Sequence, residues 1–122
     1  MSRVRNLPDM SYDYSLFRVN RPVHSPKDLD ESSVEALGSA TEVRALLDDL
    51  IHGIEWNRIG IVVLQGVRLE FMVLSEQTSF QSISVHTSHR VEPADADAVI
   101  EDICRRGTFV AFDGQRNILL RG

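Results

Sequence analysis

Cysteine is nearly absent from this 122-residue chain, with Cys104 standing alone, so no internal disulfide can form and no cysteine-based metal motif exists. Long apolar runs are missing too. Stretches such as Ile61–Leu64 end after four residues, far short of the roughly 20 that cross a bilayer. The first residues lack the apolar block of a secretory signal, so neither an anchor nor an export signal is expected and the cytoplasm is the expected compartment. Basic residues are in the minority, 13 against 18 acids for a net charge of −5. That deficit disfavours binding to nucleic acid, which needs Lys and Arg to displace counterions, and points to a basic partner.

What is present has the balance of an ordinary globular protein, 43% apolar and 25% charged. Residues 10–122 are expected to form one domain, long enough to bury a core without staples, with residues 1–9 as an extension outside it. The charge is uneven. Residues 27–55 hold eight acids (Asp28, Asp30, Glu31, Glu35, Glu42, Asp48, Asp49 and Glu55) against Lys27 and Arg44, a local charge of −6. Such a block either keeps a surface wet or steers a cationic partner.

Residues 11–19 alternate, with Tyr12, Tyr14 and Leu16 against Asp13, Ser15 and Phe17, as a first strand would. The Pro-, Ser- and acid-rich stretch 20–38 reads as a connection with a helical turn near Asp28–Leu37. Ser39-Ala40-Thr41-Glu42 has the form of a capping box. Beyond it, Val43, Leu46, Leu47, Leu50, Ile51 and Ile54 make one apolar stripe of a helix, for which Gly53 supplies a left-handed stop. Residues 59–65 and 67–74 read as a hairpin, and residues 80–88 as a further strand with Ile83, Val85 and Thr87 inward. Pro93 opens a second helix, with Asp95 and Asp97 at its positive end and Arg105, Arg106 and Gly107 at its close. Residues 108–112 and 117–121 flank the turn dipeptide Asp113-Gly114 as the last two strands.

The order β-α-β-β-β-α-β-β predicts an α+β fold, a mostly antiparallel sheet of about six strands with two helices on one face. The other face is expected to carry Arg68, Glu70, Met72, Leu74, Ser82, Ser84 and His86, with Val62 and Leu64 adding apolar area. A mixed face of this kind is a partner site, a homodimer contact, or is covered by residues 20–38.

No catalytic residue and no cofactor is assigned. His86 and His89 have metal-ligand spacing, but on a strand they point to opposite faces, so no metal is expected. Cys104 follows the buried stripe of the second helix near its C-terminal end, where the dipole does not activate a thiol, and reads as a packed side chain. Glu70 and His86 are cross-strand neighbours that could form an acid/base pair or a salt bridge. Trp56 reads as a lid on the core with its indole N–H satisfied by backbone, or as a ligand-stacking ring. Asp113 and Gln115 fit the chemistry of a turn.

Three landmarks carry a resemblance: Met10-Ser11-Tyr12-Asp13; the helix from Thr41-Glu42-Val43-Arg44-Ala45-Leu46-Leu47 into Gly53-Ile54-Glu55-Trp56; and Phe109-Val110-Ala111-Phe112-Asp113-Gly114-Gln115. In their order they resemble a loose group of small bacterial proteins of uncharacterised activity, some of which look like immunity proteins of interbacterial toxin systems. Members often have a proline where Gly53 stands and Arg-Gly where Ser88-His89 stands. The −6 segment, the missing catalytic constellation and this resemblance together point to a non-enzymatic protein-binding module of the immunity type, with a basic toxin domain as the expected partner. The expected partner-binding residues are Glu42, Asp48, Asp49, Glu55, Trp56, Arg68, Glu70 and His86. The alternative is a small enzyme or ligand sensor with a pocket near Trp56, Glu70 and His86. A homodimer is compatible with either.

Overall fold

A computed structural model describes residues 12–87 and 91–122. The expected extension at residues 1–9, Met10, Ser11 and His89 therefore lie outside the described residues. The chain runs β1 (Asp13–Val19), β2 (Val34–Glu35), α1 (Ala40–Leu50), β3 (Glu55–Trp56), β4 (Gly60–Leu64), β5 (Val67–Phe71), β6 (Ile83–Thr87), α2 (Pro93–Gly107), β7 (Val110–Asp113) and β8 (Ile118–Arg121). The fold is α+β, as the sequence predicts. Every strand pairing is antiparallel, and the sheet has eight strands in the order β3-β4-β5-β6-β1-β7-β8, with β2 paired to the far end of β1. The two strands beyond the expected six, β2 and β3, are two residues long each, too short to leave an alternating pattern.

Both helices lie on one face because each has a single apolar stripe to bury. Val43, Leu47 and Ile51 from the first stripe and Ala96, Val99, Ile100 and Ile103 from α2 join Leu16, Leu69, Phe71, Ile83 and Val85 in one core cluster. The capping box at α1 forms as expected: Glu42 N–H donates to Ser39 Oγ at 3.2 Å and Ser39 N–H to Glu42 Oε1 at 2.9 Å. Helix α1 closes at Leu50, before Gly53. At the end of α2 the left-handed residue is Thr108 (φ 59°), not Gly107. There the Arg18 side chain takes up the carbonyl of Gly107 with two hydrogen bonds, at 3.0 and 2.9 Å, and covers the Phe109 ring. Arg105 and Arg106 instead pair with Asp102 on their own helix.

The 20–38 connection differs from the helical turn expected over 28–37. It holds a 3-10 turn at Pro26–Asp28, a tight turn that opens at Asp30 and closes with Ser33 N–H on the Asp30 carbonyl, and β2. Asp30 gathers the backbone N–H groups of Ser32 and Ser33, and the fully buried Ser33 hydroxyl donates to the Asp28 carbonyl at 3.0 Å. Side-chain oxygens satisfying local amides compete with helix formation, and here they win.

Candidate functional site

The strand register decides which side chains share a face. Glu70 lies directly opposite His86, and His86 directly opposite Asp13. On the other side of Glu70 stands Ile61, and beyond it Glu55. One cross-strand row on the face away from the helices therefore reads Glu55, Ile61, Glu70, His86, Asp13, in the order β3, β4, β5, β6, β1. His86 Nδ1 is bonded to Asp13 Oδ1, which orients the imidazole. Arg68 stands two residues before Glu70 on the same face and approaches it at 3.4 Å, with Val63 as its partner across the ladder. Val63 is 62% exposed, the one large apolar side chain so exposed among the described residues.

Next to the acidic row runs an uncharged one. Ser84 faces Ser15, Ser15 faces Phe112, and Phe112 faces Leu119, while Met72 N–H bonds the Ser84 carbonyl. Further along, Arg121 reaches over to the Val23 carbonyl at 2.8 Å, and Val23 and Val110 are buried although neither belongs to the main core cluster. The 20–38 connection thus meets this face at the end nearest Val110.

This register corrects two expected positions. Val62 and Leu64 pair with Leu69 and Val67 and so face the helices; it is Ile61 and Val63 that share the open face with Arg68 and Glu70. A four-residue apolar run offers no alternation from which to read its phase, and the partner strand supplies it.

The predicted binding residues divide between two surfaces. Arg68, Glu70, His86 and Glu55 stand on the open face. Trp56 pairs with Gly60, which pairs with Phe71, so its ring lies on the helix side, away from Glu70 and His86. No single pocket near Trp56, Glu70 and His86 is formed, because the sheet lies between them. The indole N–H is satisfied not by backbone but by Asp48 Oδ1 at 2.8 Å, and the Arg44 guanidinium covers the ring at 4.8 Å from its centroid. Arg44 in turn donates to the carbonyls of Val73 and Arg58. Glu42 is engaged in its capping box. Asp49 is exposed on α1. Several acids of the −6 stretch therefore have local duties; the bonds that Asp28, Asp30 and Glu42 accept from neighbouring backbone amides and serine hydroxyls hold their carboxyls below the usual range.

A second polar cluster, not anticipated from sequence, lies on the helix side at the end of β7. Asp113, fully buried, accepts the N–H groups of Gln115 at 2.9 Å and Arg116 at 3.2 Å, which is the turn chemistry expected of it. Its second oxygen accepts from Arg116 Nε at 2.5 Å. The same guanidinium binds Asp97 at 2.6 and 2.9 Å, and Asp97 Oδ1 also accepts the Tyr14 hydroxyl at 2.8 Å. Burial works to raise the Asp97 carboxyl, but Arg116 and Tyr14 more than offset it and hold it low. Burial, reinforced by Asp97, pushes the Tyr14 phenol far above its ordinary range. These groups satisfy one another and fasten the β7–β8 turn to α2. The only advance sign was Asp97 placed early in α2, which reads equally well as a partner of the helix dipole.

Cys104 is packed against the core at 1% exposure, and burial, with Glu101 adding to it, pushes its thiol up to about 12. Among the described residues no group of three or more His, Cys, Asp or Glu is placed to hold a metal ion, and no helix is long and apolar enough to cross a membrane. Comparison with protein-family models, with curated proteins and with solved structures finds no match to this chain.

Proposed function

We propose that this protein is a cytoplasmic protein-binding module for a basic partner, of the kind an immunity protein forms with a toxin domain, and that it works by occlusion and not by catalysis. The observation that carries the reading is the sheet face left uncovered by both helices, where exposed Val63 stands beside a row containing three carboxylates. Apolar surface at a contact centre supplies affinity, and flanking charge of one sign supplies rate and selectivity. Asp48, Asp49 and Glu42 add to the same negative field from α1.

The test is co-expression with the products of the genes beside its own, followed by capture on a tag at low and at high salt. A basic neighbour retained at low salt and released as salt rises is the expected result. Retention of none of them at low salt overturns the reading.

A second reading has one observation in its favour: Asp13 orients His86 through Nδ1, as a carboxylate does for a general base, with Glu70 alongside. A small enzyme or sensor would then use the open face, without Trp56. If H86A abolishes binding of the basic partner no more than a neutral surface change does, yet removes a measurable turnover, this second reading replaces the first.

A further inference from the structure

Resting on the reading that the partner is a basic protein, we infer that it docks on the open sheet face and not on α1, and that its docking element is an α-helix carrying Lys or Arg seven residues apart with an apolar residue between them. The choice of face follows from apolar exposure, since both surfaces carry acids. On α1 Glu42 accepts from Ser39 and Asp48 from the Trp56 indole, neutral donors that leave both carboxylates charged, Asp49 is exposed, and Arg44 lies over the ring. On the sheet, Glu55 forms no ion pair among the described residues, Glu70 has the 3.4 Å approach of Arg68 and Asp13 is bonded to His86; what the sheet adds is Val63, the one large apolar side chain so exposed among the described residues. Among the described residues this end of the face sets three carboxylates against the Arg68 guanidinium and the His86 imidazole that Asp13 holds, and so stays net acidic.

The choice of occupant follows from register. Glu55, Glu70 and Asp13 occupy alternate strands, and neighbouring strands are about 4.8 Å apart, so successive carboxylates recur about every 10 Å across the sheet. Residues seven apart on a helix are separated by about 10 Å along its axis and point the same way. Between Glu55 and Glu70 the row offers Ile61, which an apolar side chain midway between two cations would meet. A second copy of the chain is a poor occupant. A two-fold contact would lay the acidic row against itself, and like charges brought together across an interface oppose association.

The experiment uses the whole protein, isotopically labelled, titrated at low salt with a helical peptide that bears lysines at i, i+7 and i+14 and leucines between them. A peptide of the same composition in scrambled order is the control. The expected result is saturable change in the amide signals of Glu55, Ile61, Val63, Glu70 and His86, with the scrambled peptide weaker by about tenfold or more. Val63→Lys and Glu70→Lys, both on exposed or half-exposed positions and checked for folding by circular dichroism, each weaken the ordered peptide by about tenfold; Asp49→Lys changes it by less than about twofold. Changes centred on α1, equal binding of both peptides, or signals that move with protein concentration in the absence of peptide each overturn the inference, the last by placing a second copy on the face. The two proposals fail separately: a genetic neighbour whose capture is broken by Asp49→Lys and untouched by Val63→Lys sinks this one alone.

Discussion

Tyr14 and Asp97, 83 residues apart, are joined by a hydrogen bond of 2.8 Å from the buried phenol to a carboxylate that also holds Arg116. The pair ties the central strand β1 to the first half of α2, and through Arg116 to the turn after β7. Tyr14→Phe keeps the ring and removes the donor, so it is expected to cost about 1–2 kcal/mol, since the bond is to a charged group. The measurement is the urea midpoint of the variant against the parent chain.

The same residue sets a pH dependence. In the unfolded chain the Tyr14 phenol ionises around its ordinary value of 10.0, whereas in the folded protein it stays neutral at that pH. Its contribution is therefore complete below pH 10.0 and is lost progressively above it. Cys104 acts in the same sense from its ordinary 9.0 up to its folded value of about 12. Stability followed by urea from neutral to strongly alkaline pH should fall beyond these ordinary values, and the fall should be shallower in Tyr14→Phe. An unchanged alkaline slope in that variant would show that Tyr14 is not the group responsible.

Val62 and Val63 test the register of β4. Val62 is 7% exposed and pairs with Leu69 on the helix side, whereas Val63 is 62% exposed and pairs with Arg68. Lysine at Val62 buries an unpaired charge and should cost about 3 kcal/mol or more; lysine at Val63 should stay within about 0.5 kcal/mol. Thermal melts of the two variants decide it, and equal destabilisation would refute the pairing.

Gly60 is required by the Trp56 ring. A Cβ at this position would stand 2.5 Å from the ring edge, in a place no side-chain atom can share. Gly60→Ala must push the indole off the sheet, breaking its bond to Asp48 and its stacking with Arg44, at a cost of about 1–3 kcal/mol. Trp56 is the only tryptophan, so its fluorescence reports the displacement directly. An emission spectrum identical to that of the parent chain would argue against the close approach.

Cys104 should be inert to thiol reagents in the native protein at neutral pH and react at once in denaturant, because it is buried and its thiol is held neutral. Rapid labelling without denaturant would be inconsistent with this packing.

Much of this architecture could be read from local chemistry. The stripe Val43, Leu47, Ile51 and the capping box Ser39–Glu42 specify α1 through contacts within a few residues, and the alternation Ile83, Val85, Thr87 specifies an inward face by the two-residue period of a strand. Asp113 was legible as a turn residue for the same reason: its carboxylate bonds amides two and three positions on. The −6 stretch was legible as charge, but not the engagement of Asp48 with Trp56 eight residues later, which depends on where β3 lies against α1.

What the sequence determined by itself, then, is whatever depends on neighbours along the chain: the two helices, the long strands, the capping box of α1, the acidic balance. Tertiary structure alone decided which side of β4 faces the helices, that Asp13 meets His86 across 73 residues, and that Tyr14, Asp97, Arg116 and Asp113 form one cluster. The physical reason is that strand register is set between chains of residues distant in sequence, and a slip of one residue exchanges every side chain between the two faces of the sheet.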